Sequence, residues 1–147
     1  MLEYSHEHFM KEALKEAQKA LTNNEIPIGA VIVCNQKIIG RGYNQVEMLN
    51  DVTAHAEMIA ITSASGYLGA KYLTDCTLYV TLEPCSMCAS ALSWSQIPNI
   101  VFGAKDEKKG FNLITNKLLH PKTNIMGGVL EQECASILKD FFKRLRS

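Results

Sequence analysis

The chain has 147 residues, of which 47% are hydrophobic and 20% charged, and these values exclude a disordered tail, a coiled coil and a collagen-like repeat. Its length suits a single domain, which we place over residues 1–147. The net charge is zero, but residues 105–147 carry 9 basic and 5 acidic side chains, which points to an anionic partner for this part of the chain.

The spacing of apolar residues predicts helices and strands that alternate along the chain. Phe9, Met10 and Ala13 begin an amphipathic pattern for which Ser5 is the expected N-cap. In chain order we predict a helix at 6–22, strands at 28–34 and 37–41 around a turn at 35–36, a polar loop at 44–52, a helix at 53–65, a strand at 77–82, a helix at 84–95, a strand at 99–104, a long loop at 105–124, a short strand near 125–129 and a helix at 131–146.

These elements predict a mixed sheet between helices. The strand–helix–strand passage at 77–104 needs a crossover, so its two strands are expected to be parallel. In the last helix, one apolar face is expected to hold Cys134, Leu138, Phe141 and Leu145.

The distribution of apolar residues and cysteines favours a cytoplasmic protein with no membrane segment. The longest apolar runs, such as Ala30–Cys34, are far below the ~20 residues that span a bilayer. The first residues also lack the basic and then apolar order of a signal peptide. The five cysteines are odd in number, so a disulfide framework is not expected, and Cys34, Cys76 and Cys134 are interpreted as small buried side chains.

The remaining two cysteines, Cys85 and Cys88, have the spacing of metal ligands. At positions i and i+3 in the first turn of a helix, both sulfurs project from one face. The helix N-terminus favours the thiolate form, which binds metal. His55 falls at the start of another predicted helix, so two helix N-termini would supply a Cys₂His set for zinc.

A three-ligand zinc site is typical of catalysis because it leaves a position for water. Zinc lowers the pKa of that water from ~15.7 to about 7. Glu57, two residues after His55, is the candidate proton carrier. Since residues i and i+2 of a regular helix lie about 200° apart, both can face the metal only if the chain is at its cap or first turn there.

Two other interpretations of these residues are weaker. A lone Cys-x-x-Cys is also typical of a redox pair or of a structural zinc site. A structural site needs a fourth ligand, for which the candidates are Cys34, Cys76, Cys134, His6, His8 and His120. No second Cys-x-x-Cys pair is present, which argues against that interpretation.

The pair of motifs matches the His-x-Glu and Pro-Cys-x-x-Cys pattern known from zinc-dependent nucleoside deaminases of the cytidine and deoxycytidylate deaminase superfamily. More of the chain resembles the bacterial tRNA-specific adenosine deaminases. The resembling stretches span nearly the whole length and lie at residues 26–31, 53–57, 81–89, 101–106 and 128–142.

This resemblance implies a cytidine-deaminase-like three-layer α/β/α fold with a five-stranded mixed sheet. It implies one Zn²⁺ per subunit on His55, Cys85 and Cys88, with Glu57 as the catalytic proton shuttle. The implied reaction is hydrolytic deamination of adenosine to inosine at the wobble position of a tRNA anticodon, by zinc-activated hydroxide attack at C6. The implied partners are the tRNA anticodon loop and a second copy of the chain in a homodimer.

The resemblance also implies substrate contacts. Asn44, Ala56 and Asp106 correspond to residues that bind the nucleotide. Candidate RNA contacts are Lys105, Lys108, His120, Asn124, Phe142, Lys143 and Arg144. Phe141 and Phe142 are adjacent and cannot share one helix face, so one is expected in the core and the other exposed for stacking on a base.

The substrate is less firmly predicted than the reaction. The stretch 119–128 looks short for the family, and Trp94 is similar to an aromatic residue common in free-base deaminases such as guanine deaminases. A free nucleobase or nucleoside deaminase acting on guanine, adenine or cytosine is therefore the alternative. A noncatalytic zinc or RNA-binding module is a third, but it would have no use for Glu57.

Overall fold

The computed structural model describes residues 3–114 and 117–146. In chain order its elements are α1 (His6–Thr22), β1 (Gly29–Cys34), β2 (Lys37–Tyr43), α2 (Val46–Leu49), α3 (Ala56–Leu68), β3 (Cys76–Leu82), α4 (Ser86–Trp94), β4 (Asn99–Ala104), a 3-10 turn (Phe111–Leu113), β5 (Asn124–Met126) and α5 (Glu131–Leu145).

The strands form a five-stranded mixed sheet in the order β2-β1-β3-β4-β5. β1 is antiparallel to both β2 and β3, whereas β4 is parallel to β3 and to β5. The predicted parallel crossover and the predicted mixed sheet are therefore confirmed. Because β3, β4 and β5 run the same way, the residues that follow β3 and β4 meet at one end of the sheet.

Helices cover both faces of the sheet, which confirms the predicted three layers. One core joins alternate strand residues such as Ile32 and Val80 to α3 and α4 through Ala60 and Leu92. The other joins the opposite strand residues to α1 and α5 through Phe9 and other side chains. This alternation follows from the period of two along each strand.

Helix α3 lies unusually close to strand β2. Its alanines Ala56, Ala60 and Ala64 are fully buried against Gly40 and Gly42. A Cβ at Gly40 would lie 2.7 Å from the carbonyl oxygen of Ala60, and one at Gly42 would overlap the backbone of Ala56 and Ala60. The glycines therefore set the distance between α3 and the sheet.

Several local predictions are confirmed. The hydroxyl of Ser5 accepts a hydrogen bond of 3.1 Å from the N–H of His8, which caps α1. The hairpin turns at Asn35 and Gln36, whose φ angles of 51° and 64° are those of a type I′ turn. Cys76 and Cys134 are buried, as predicted for the free cysteines outside the metal motif. The same prediction is wrong for Cys34, which is only partly buried because it is the last residue of β1, next to the hairpin turn.

The prediction of a plain loop at 44–52 is wrong, because residues 46–49 form α2. Glu25 is 3% exposed, and its carboxylate accepts hydrogen bonds from the N–H groups of Glu47 and Met48, at 3.0 and 2.7 Å. A distant buried carboxylate thus satisfies the first turn of a helix too short to form alone.

The predicted boundaries of the next two helices are also wrong by two or three residues. Asp51 accepts hydrogen bonds from the N–H and hydroxyl of Thr53, which keeps Thr53 outside α3. That helix continues to Leu68 and ends at Gly69, not at Gly66. Helix α4 has Cys85 as its N-cap, so Pro84 precedes the helix and does not lie in its first turn.

One predicted member of the α5 apolar face is not buried. Cys134, Leu138 and Phe141 are buried, but the Leu145 side chain is 66% exposed at the last residue of the helix. In the part of the chain that the structure describes, no helix has the length and apolar character needed to cross a bilayer.

Candidate metal centre and active site

The predicted ligands lie at the start of two helices. His55 is the N-cap of α3, with φ −79° and ψ 155°, and Cys85 is the N-cap of α4, with φ −73° and ψ 174°. Cys88 is the third residue of α4. The requirement that His55 stand at a cap, so that it and Glu57 can face the same point, is therefore confirmed.

The distances from the His55 nitrogen to the two sulfurs fit a tetrahedral zinc ion. The Nδ1 atom of His55 lies 3.7 Å from the Sγ of Cys85 and 3.5 Å from the Sγ of Cys88. Zn–S bonds of ~2.3 Å and Zn–N bonds of ~2.0–2.1 Å at tetrahedral angles would separate sulfur from nitrogen by about 3.6 Å. The donor set and these two distances thus suit zinc.

The described group of potential ligands contains these three residues only. Across residues 3–114 and 117–146, no further histidine, cysteine or acidic residue joins them within 4.8 Å. The six candidates for a fourth structural ligand, which all lie in this part of the chain, are not in the group. A closed structural zinc site therefore has no support, whereas a site open to water does.

Hydrogen bonds among the three side chains shift their pKa values. A hydrogen bond with Cys88, followed by one with His55, lowers the pKa of the Cys85 thiol to about 4. The same contact with Cys85, together with burial, raises the pKa of Cys88. The pKa of His55 is raised, chiefly by its hydrogen bond with Cys85. One sulfur is thus held as a thiolate, the form that binds a metal ion.

Glu57 occupies a dry position beside the ligands. It is the second residue of α3, its side chain is 4% exposed, and its carboxylate lies beside the thiol of Cys88. Burial raises the pKa of Glu57 to about 7. A carboxyl group of this pKa can both accept and return a proton at neutral pH.

Asn44 and Ala56 are brought to the same place. The Oδ1 of Asn44, which is 5% exposed, accepts a hydrogen bond of 2.8 Å from the N–H of Ala56. The backbone N–H of Ala56 is therefore already used, and its side chain is buried. The amide nitrogen of Asn44 makes no hydrogen bond with a described residue, so two N–H groups are available to a ligand.

Asp106 lies in a turn that is tied to the metal-binding segment. Its Oδ1 accepts hydrogen bonds of 3.0 Å from the N–H groups of both Lys108 and Lys109. The turn includes Gly110, which forms a β-bridge with Cys85. Lys105 and Lys108 are exposed in this segment. The structure thus brings the predicted residue Asp106 and these lysines to the side of the site that Cys85 forms.

The structure does not bring His120 and Asn124 to the metal ligands. Asn124 begins β5 and donates a hydrogen bond of 2.9 Å to Asn99, the first residue of β4. His120 lies just before β5 and accepts a hydrogen bond from the N–H of Lys122. Both therefore lie at the opposite end of the parallel strands from Cys85, which follows the end of β3.

The predicted RNA contacts in α5 lie on its exposed side. Phe141 is buried, whereas Phe142 is 39% exposed, so the predicted division between core and surface is confirmed. The two rings meet edge to face, with centroids 5.3 Å apart. Lys143 and Arg144 are exposed in the last turn.

The sequence analysis missed Glu83, a buried acid two residues before Cys85. Glu83 is 4% exposed, and its carboxylate accepts hydrogen bonds from the backbone of the 105–112 segment. The available signal was an acidic residue directly after the apolar strand 77–82, where a buried charge needs partners.

The layered fold and the Cys₂His group with its buried acid define the chain as a zinc-binding enzyme of the α/β class. The family model described as the cytidine and deoxycytidylate deaminase zinc-binding region matches residues 3–104. The chain belongs to this family of deaminases, and zinc is therefore its metal.

The comparisons with individual proteins are more specific. The tRNA-specific adenosine deaminase of Bacillus subtilis (strain 168) is 46% identical over 145 residues, which cover 95% of this chain and 90% of that protein. A solved structure from a study of A-to-I editing by tRNA:A34 deaminases at the wobble position is 43% identical, with a TM-score of 0.83, over 89% of this chain and 99% of that one. A guanine deaminase from Bacillus subtilis is 37% identical, with a TM-score of 0.69, over 80% of this chain and 79% of that one.

Proposed function

We propose that the protein hydrolyses adenosine to inosine at the wobble position of a tRNA anticodon. One observation carries this proposal. The match to tRNA-specific adenosine deaminases covers 95% of the chain, so it extends beyond the zinc-binding region at 3–104 into the basic part of the sequence. If the chain shared only the zinc-dependent reaction with these proteins, the similarity would be expected to end with the zinc-binding region at residue 104.

In the proposed reaction, adenosine and water give inosine and ammonia. His55, Cys85 and Cys88 would hold the zinc ion, which would lower the pKa of a water molecule to about 7 and so supply a nucleophile at neutral pH. We propose that the carboxylate of Glu57 takes one proton from the water and delivers it to the purine ring nitrogen. It then carries the proton that remains on the attacking oxygen to the departing amine, which leaves as ammonia. Its burial excludes bulk solvent from these transfers.

The substrate base is expected to enter beside Asn44 and the Asp106 segment. The free amide N–H groups of Asn44 suit an acceptor on the purine edge. Asp106 is the proposed contact to the sugar, and Lys105 and Lys108 suit phosphates of the anticodon loop. The proposed contacts in α5 are Phe142, by stacking, and the cations Lys143 and Arg144.

We further propose that the protein acts in the cytoplasm as a homodimer with one zinc per subunit. The dimer is supported by exposed apolar side chains near the site, since Met48, Leu49 and Val52 are 48%, 54% and 80% exposed. A monomer rarely leaves such a group in water. Sedimentation velocity at micromolar concentration tests this part, and a single species with the mass of one chain would contradict it.

Guanine deaminase activity is the second candidate. It is supported by the 37% identity to a guanine deaminase and by Trp94, which is 83% exposed at the end of α4. The deciding experiment offers the zinc-loaded protein an anticodon stem-loop with wobble adenosine, and in parallel free guanine, adenine, adenosine and cytosine. Ammonia release from the stem-loop alone supports the proposal, and release from guanine alone contradicts it.

A further inference from the structure

Glu83 links the metal-binding turn to the segment that carries Asp106. It directly follows β3, and its side chain is 4% exposed. One carboxylate oxygen accepts a hydrogen bond of 3.2 Å from the N–H of Asp106, and the other accepts one of 3.3 Å from the N–H of Asn112. A single buried carboxylate thus holds both ends of the 106–112 turn.

Other bonds join the same two segments. The N–H of Glu83 donates to the carbonyl of Ala104 at 2.8 Å, and the N–H of Phe111 donates to the carbonyl of Pro84 at 3.0 Å. Gly110 packs directly on the carboxylate, because a Cβ there would lie 2.6 Å from Glu83 Oε1 and 2.6 Å from the carbonyl oxygen of Asp106. The turn therefore rests on Glu83 with no intervening side chain.

We propose that Glu83 is a positioning residue that fixes the nucleotide-binding turn 105–112 relative to the metal site. This proposal rests on the proposed function, in which Asp106 and Lys108 contact the nucleotide. Glu83 holds the backbone of that turn in its binding conformation before the substrate arrives. Its effect therefore falls on substrate affinity, because a preformed turn need not be ordered on binding.

The metal ligands are held by other contacts. His55 is placed by the N-terminus of α3, where Asn44 accepts from the N–H of Ala56. Cys85 is placed by α4, whose first helical bond runs from the N–H of Ala89 to the carbonyl of Cys85 at 2.9 Å. A change confined to the Glu83 carboxylate leaves both contacts in place, so zinc binding and the proton transfers of Glu57 are expected to persist.

The test compares Glu83→Gln with wild type as zinc-loaded protein. An amide retains one acceptor oxygen and turns an N–H₂ group toward a backbone N–H, so one of the two bonds is lost. We expect KM and the Kd for the anticodon stem-loop to rise about tenfold, while kcat stays within about twofold and zinc per chain is unchanged. Glu16→Gln is the matched control, because Glu16 is 2% exposed but pairs with Lys19 and Arg41 on α1 and β2.

Gly110→Ala is the second variant, because its added Cβ would lie 2.6 Å from Glu83 Oε1 and so displace the same carboxylate. It should raise KM in the same way, and the double variant should be little worse than either single one. The proposal is overturned if Glu83→Gln lowers kcat or zinc content in step with activity, or if KM stays at the wild-type value. If Glu83→Gln fails to fold, an unchanged KM in Gly110→Ala is sufficient to overturn it.

The two proposals fail differently. A zinc-loaded wild type that releases no ammonia from the stem-loop contradicts the proposed function, and the role of Glu83 falls with it. A wild type that is active on the stem-loop, with an unchanged KM in both variants, contradicts the role of Glu83 alone.

Discussion

Asn44 and Ala56 are joined by a hydrogen bond of 2.8 Å between the side-chain oxygen of Asn44 and the backbone N–H of Ala56. Ala56 is the first residue of α3 and stands between His55 and Glu57. One amide oxygen therefore fixes the point at which a metal ligand and the proposed proton carrier enter the site. The amide nitrogen of the same side chain makes no hydrogen bond with another described residue, and we propose that it contacts the substrate.

These two roles of Asn44 can be separated by two substitutions. Asn44→Asp keeps an acceptor for the N–H of Ala56 but loses the amide donors, so we expect near wild-type stability with reduced kcat/KM. Asn44→Ala loses both and is expected to be less stable by about 1 kcal/mol. Urea unfolding and initial rates measure the two effects. Equal stability losses in both variants would contradict the capping role.

Removal of zinc should affect both folding and activity. The three ligands come from two helix N-termini, so a bound ion links α3 to α4. Dialysis against a chelator is expected to lower Tm and stop ammonia release, and added zinc should restore both. Cys88→Ser should bind less than one zinc per chain under conditions that fill wild type. Full occupancy in that variant would contradict the assigned ligand set.

Glu57→Gln should separate metal binding from catalysis. The side chain is not among the three ligands, so zinc content is expected to equal that of wild type. Ammonia release should fall by at least about 10²-fold, because the amide cannot carry a proton. Glu16→Gln again provides a buried-acid control away from the site. Turnover near the wild-type rate would contradict the proposed role of Glu57.

The ion pairs between α1 and β2 should make stability depend on pH. Arg41 donates to Glu12 at 2.8 Å, and this bond, followed by the one from Lys15, lowers the pKa of Glu12. A lowered folded-state pKa means that the contribution is present above the unfolded pKa of about 4.3 and is lost as the pH falls through the folded value. Glu12→Gln should therefore be less stable than wild type at pH 7 by about 0.5 kcal/mol.

Chemical denaturation at pH 7 and pH 3 measures this difference. At pH 3 the deficit of Glu12→Gln should shrink, because the wild-type carboxylate then begins to bind a proton. A deficit that is constant across this range would mean that the variant loses packing and not an ion pair.

Binding of the anticodon stem-loop should weaken steeply with salt if the lysines near Asp106 contact phosphates. The logarithm of the association constant should fall linearly with the logarithm of salt concentration, and Lys108→Ala should reduce the slope by about 0.7. Lys37→Ala is the control, because Lys37 begins β2 at the hairpin, at the other end of the sheet from Cys85. A flat salt titration of wild type would argue against RNA as the substrate.

The sequence predicted the sheet well, and it predicted that His55, Cys85 and Cys88 come together, because strands and metal-binding motifs have short-range signals. Apolar alternation identifies the strands, and Pro-Cys-x-x-Cys places two sulfurs on one turn whatever surrounds it. The prediction failed where a distant residue determines the backbone. Helix α2 exists because Glu25, about twenty residues earlier, accepts from its first turn.

Glu83 and the contact between Asn44 and Ala56 were not predicted from the sequence for the same reason, because both depend on distant residues. Glu83 looks like one more charge beside a strand until the fold brings the 105–112 segment against it. The use of the Ala56 N–H by Asn44 likewise depends on the packing of β2 beside α3. Sequence spacing indicates which groups carry the chemistry, but partners more than ten residues apart are fixed only by tertiary structure.

The close approach of α3 to Gly40 and Gly42 determines how much the positions of the site residues can change. His55 and Glu57 lie at the start of α3, whereas Cys85 and Cys88 lie at the start of α4. A side chain added at Gly42 would push α3 away from β2 and so move His55 and Glu57 together. Their positions relative to each other would be kept, but their distances to the sulfurs of Cys85 and Cys88 would change. A substitution at Gly42 would therefore lower the affinity for zinc before it alters the alignment of Glu57 with His55.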